Sequence, residues 1–84
     1  MERFRALPSL AGILQPGDAT RYEMVAVKTY DSIEVIVQND SFFDKIVFLP
    51  DSDEPYNTFR GDKTNPWTIK AAVEFKNKFI EEYL

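Results

Sequence analysis

RYEMVAVKTYDSIEVIVQNDSFFDKIVFLP, residues 21–50, reads as three strands separated by two short breaks. The segments RYEMVAVKTY (21–30), SIEVIVQN (32–39) and FFDKIVFLP (42–50) are rich in β-branched and aromatic residues, which fit a pleated, half-buried surface. The breaks hold Asp, Asn and Ser, whose side chains turn a chain by bonding to nearby backbone. Breaks this short select hairpins, so the stretch predicts a three-stranded antiparallel meander, with Pro50 closing the last strand. Both alternating faces of each strand carry apolar groups. Val25 and Val27 oppose Met24 and Ala26; Ile33, Val35 and Val37 oppose Ile36; Val47 and Leu49 oppose Ile46 and Phe48. One helix covers one face, so the other needs the N-terminal segment, a long loop or a second chain.

Downstream, NPWTIKAAVEFKNKFIEEYL (65–84) predicts a long helix. Asn65 is a good N-cap and Pro66 suits the first helical position. Ile69, Ala72, Val73, Phe79, Ile80, Tyr83 and Leu84 form one apolar face with Phe75 at its margin, and Lys70, Glu74, Asn77, Lys78 and Glu81 form the other. Upstream, Phe4, Leu7, Ala11 and Leu14 recur at helical spacing, predicting a short helix from about Pro8 to Gln15 that ends in the turn chemistry of QPGD (15–18). The predicted fold is therefore α+β: a short N-terminal helix, a three-stranded antiparallel meander and a long C-terminal helix packed on one sheet face, an αβββα order. Residues 1–84 read as one domain: segment 1–18, sheet 21–50, loop 51–64 and helix 65–84.

Composition removes several kinds of chemistry. The chain has no cysteine, hence no thiolate metal site or cysteine nucleophile, and no histidine, the usual base near neutral pH. Its start lacks the apolar run of a signal peptide or membrane span, so the expected setting is cytoplasmic, with no membrane partner. A net charge of −4 disfavours general nucleic-acid binding and suits a basic partner, including a nucleic-acid-binding protein whose groove carboxylates would occupy. The three glycines are isolated, so no phosphate cradle is present, and no cofactor is implied.

The loop DSDEPYNTFRGDKTNPW (51–67) poses the functional question. Its opening DSDE resembles a calcium loop, but Pro55 and Tyr56 break the pattern and the required glycine is missing, so no metal site is predicted. In RGD (60–62), Gly61 reads as a turn residue with positive φ. Tyr56 and Phe59 have two readings. They either fold back as a lid on a sheet edge, or stand with Arg60 as a hot spot rimmed by Asp51, Asp53, Glu54 and Asp62.

Three functions follow as expectations. The first is a non-enzymatic protein-interaction module, a small regulator, adaptor or inhibitor. In one form it is an acidic decoy of a basic partner surface, as in some small phage-type inhibitors. It binds through the loop, an edge strand or the uncovered face, and a homodimer through that face or edge is a further expectation. The alternative is a nucleic-acid binder using a basic strip of Arg21, Lys28, Lys45, Lys63 and Lys70. The second alternative is a hydrolase built on a carboxylate pair drawn from Asp40, Asp44, Asp51, Asp53 and Glu54.

Overall fold

The structure, a computed structural model, describes residues 3–6, 23–39 and 42–84. Five antiparallel strands lie in chain order across one sheet: β1 (Arg3–Ala6), β2 (Glu23–Lys28), β3 (Ile33–Asn39), β4 (Phe42–Phe48) and the two-residue β5 (Asn57–Thr58). A 3-10 turn, Gly61–Lys63, leads to one helix, α1 (Pro66–Tyr83). The meander of residues 21–50 forms as expected, with Ala26 opposite Val35 and Val35 opposite Ile46 at its centre.

Because strand side chains alternate, that register puts Met24, Ala26, Ile33, Val35, Val37, Ile46 and Phe48 on one face. All seven are buried, and with Ala72, Phe75 and Phe79 of α1 they make the core. On the other face Val25 and Val27 are also buried, while Ile36 and Val47 are half-buried.

Three expectations need correcting. Phe4, counted in the helical spacing, lies in a strand, Arg3–Ala6, paired with β2; the helix predicted at about 8–15 itself falls outside the described residues. The sheet has five strands where three were expected, since β1 and β5 flank the meander. β5 is hard to see because Asn57 and Thr58 carry no apolar alternation.

The third correction concerns the buried stripe of α1. It runs through Thr68, Ala72, Phe75, Lys76 and Phe79, shifted toward Thr68 and Lys76 from the predicted face, whose Ala72 and Phe79 are buried and whose Val73 and Ile80 pack half-buried against the core. Tyr83, Leu84 and Trp67 are exposed, and the Lys70 ammonium lies over the Trp67 ring at 5.2 Å. A pattern of apolar residues misplaces the stripe because a lysine belongs to it: the Lys76 stem packs inward and its ammonium finds partners beyond the core. The cap is as predicted. The Asn65 side chain accepts from the Trp67 amide at 2.8 Å, and Pro66 stands at the first helical position.

Candidate functional site

The segment between β4 and α1 is held near each end by a buried charged side chain. Asp44, on the inner face of β4 opposite Val37, is fully buried. Its carboxylate accepts hydrogen bonds from the Lys45 amide at 2.8 Å, the Arg60 amide at 3.2 Å and the Thr64 hydroxyl at 2.8 Å. Among the described residues no cation pairs with it, so these donors must offset the cost of burying the charge. They tie the chain on either side of the 3-10 turn to the middle of the sheet. Gly61 takes φ 59° in that turn, the positive value expected of it.

Lys76 is the second tether. It is buried, yet its ammonium donates to the Ser52 carbonyl at 2.9 Å and to Asp53 Oδ1 at 2.7 Å, and lies 5.3 Å from the Phe48 ring centre. The hydrogen bonds that Asp53 accepts from Lys76 and Asn77, with the Lys76 charge, hold its carboxyl below its ordinary value of 3.8. Between the tethers, the Tyr56 amide donates to the Val47 carbonyl at 2.7 Å and the Phe59 amide to the Lys45 carbonyl at 2.9 Å. The loop is therefore an added edge of the sheet.

That edge presents its rings outward. Tyr56 is 72% exposed and Phe59 is 68% exposed, so neither acts as a lid. Phe59 stacks edge-on against Phe43 with ring centres 5.1 Å apart, and the Arg60 guanidinium lies over Phe42 at 5.1 Å. Phe43 joins the candidate residues through this contact; its only sequence signal is an aromatic pair, Phe42 and Phe43, at the start of a strand.

The predicted hot spot divides in two. Asp51, Asp53, Glu54 and Tyr56 precede β5, while Phe59, Arg60 and Asp62 follow it. Part of the edge's hydrogen-bonding capacity is already used. The Thr58 amide is taken by its neighbour's Asn57 Oδ1 at 2.9 Å, and the Thr58 hydroxyl donates to the Gly61 carbonyl at 3.2 Å.

Two residues of the proposed basic strip stand on opposite faces of the sheet. By register Lys28 lies on the helix face and Lys45 on the opposite one. The Lys28 ammonium bonds to the Thr29 and Tyr30 carbonyls at 2.6 and 3.4 Å, and Lys45 pairs with Glu34 at 3.8 Å. Arg21 and Asp40 lie outside the described residues.

Of the candidate carboxylates, Asp44 and Asp53 are engaged as tethers. A groove of about 470 Å³ beside α1, floored by Met24, Ala71 and Phe75, is lined by none of the five. No group of three or more carboxylates suited to a metal occurs among the described residues, and no described helix is long and apolar enough to cross a membrane. No known protein family, curated protein or solved structure matches the chain.

Proposed function

We propose that the chain is a non-enzymatic protein-interaction module that recognises its partner through the edge formed by β5 and its flanking turns. One observation carries this reading: Tyr56 and Phe59 are exposed on a backbone fixed by the buried charges of Asp44 and Lys76. Exposed rings on rigid backbone lose little conformational freedom on binding, which is how aromatic anchors contribute most to an interface. Phe59 gains an edge contact with Phe43, yet two large rings left mostly exposed on a tethered segment return little to the fold.

The test is capture from a lysate of the source cells, with and without nuclease, comparing wild type with the Tyr56→Ala/Phe59→Ala double variant. A protein retained after nuclease and lost in the variant is the expected result. Retention by the variant moves the site away from this edge. Capture that vanishes with nuclease replaces the reading with nucleic-acid binding.

A further inference from the structure

We infer that one end of the molecule, made by the β2–β3 turn, the β4–β5 turn and the last turn of α1, is a docking surface for a basic protein segment carrying apolar side chains among its lysines and arginines. This inference rests on the interaction reading above. It assigns the partner's chemistry and selects the half of the loop before β5.

Topology brings the three elements together. Lys28, Ile33 and Phe48 stand in register at the same end of β2, β3 and β4, so the turns that leave Lys28 and Phe48 share that end. α1 points toward it. The Thr64 hydroxyl just before the helix meets Asp44 in the lower half of the sheet, whereas Lys76, ten residues into the helix, reaches Ser52 beyond the top of β4. The residues after Lys76 therefore rise to the level of the turns.

Apolar groups stand out at this end. Tyr30 is 100% exposed at the tip of its turn, and Leu49, Tyr83 and Leu84 are exposed beside the other two elements. Their backbone is ordered. The Thr29 and Ser32 hydroxyls are 2.6 Å apart across the β2–β3 turn, the Lys28 ammonium caps two of its carbonyls, and the Leu84 amide donates to the Ile80 carbonyl at 3.0 Å.

Charge identifies the occupant. Asp31 lies on the first turn, Asp51, Asp53 and Glu54 on the second, and Glu81 and Glu82 on the helix; all six are exposed. Against them, among the described residues, stand Lys78, which is exposed, Arg3, which the register sets opposite Val27 at the same end of the sheet, and Lys28 and Lys76, whose ammonium groups are already committed to the turns. The last turn of α1 carries no basic residue. Carboxylates there lie beside the negative end of the helix dipole, the arrangement helix energetics disfavours. Apolar side chains within this excess of carboxylates match a basic segment with apolar anchors, and repel a second copy of the same acidic chain.

Amide NMR on the full chain tests the assignment. The probe is a short helical lysine–leucine peptide, and a glutamine–leucine peptide of the same pattern is the control. The expected result is a set of shift changes concentrated at Tyr30, Asp31, Ser52 to Glu54 and Glu81 to Leu84, absent with the control and suppressed by salt. Replacing three exposed carboxylates, Glu54→Gln/Glu81→Gln/Glu82→Gln, is expected to weaken the lysine–leucine peptide about tenfold, with amide dispersion unchanged. Changes centred on Phe43 and Phe59, changes spread over the whole surface, equal binding of the control, or no change at all would each overturn it.

The two readings fail separately. A protein captured by wild type, lost by Tyr56→Ala/Phe59→Ala and retained by the triple glutamine variant leaves the interaction module standing and removes its acidic end as the contact.

Discussion

Asp44 carries more of the candidate site than any residue within it. It is a buried carboxylate without an ionic partner among the described residues, and its three donors come from β4, from the chain before the 3-10 turn and from the chain after it. Asp44→Ala leaves those donors unsatisfied in the interior and is expected to cost about 2–4 kcal/mol in urea unfolding. Asp44→Asn keeps one acceptor oxygen and is expected to cost less. In either variant the Arg60 amide should exchange with solvent faster than the core strands do.

Lys76 and Asp53 add a pH signature. The folded carboxyl of Asp53 lies below its ordinary value of 3.8, so its pairing contributes stability that is full above that value and is lost as pH falls through the lowered one. The urea midpoint of wild type should therefore decline below about pH 4 more steeply than that of Lys76→Met, which lacks the ammonium. Equal slopes for the two proteins would show that the contact is not felt in solution.

At the scale of elements, α1 shows both the reach and the limit of sequence reasoning. Its existence, its cap at Asn65 and its start at Pro66 were legible, because capping chemistry is local and written in adjacent residues. The face it buries was legible in part: Ala72 and Phe79 are buried and Val73 and Ile80 pack against the core, but periodicity assigns each residue by polarity and so leaves out Lys76, which enters the core as an aliphatic stem. The same rule explains the strands. β2, β3 and β4 announce themselves through β-branched and aromatic residues, whereas β5 has no such signal and pairs with β4 between the tethers of Asp44 and Lys76. The sequence offers the candidate residues of 51–62 as one set, and their division by β5 follows from tertiary hydrogen bonds with no local sequence signal.

The helix also supports a stability prediction. Glu81→Lys and Glu82→Lys each replace a carboxylate at the negative end of α1, and each should raise unfolding free energy by about 0.3–1 kcal/mol at low salt, with the gain fading as salt is added. Thermal melts in two salt concentrations check this. If the acidic end binds a basic segment, these stabilising changes are expected to weaken that binding, and the opposed signs separate a functional role from a structural one.

At the scale of the whole molecule, the sheet divides two kinds of work. One broad face packs α1 and supplies the core, while the edge beyond β4 and the end beyond Lys28 and Phe48 carry the exposed rings and carboxylates. A partner that approaches this edge meets side chains instead of open backbone, because the Thr58 amide is already answered by Asn57. The proposed recognition there would rest on ring shape and charge. The same small hydrogen bond bears on crowding: a ribbon growing strand upon strand would meet at β5 a two-residue edge with one amide already occupied, a poorer template than a long open strand.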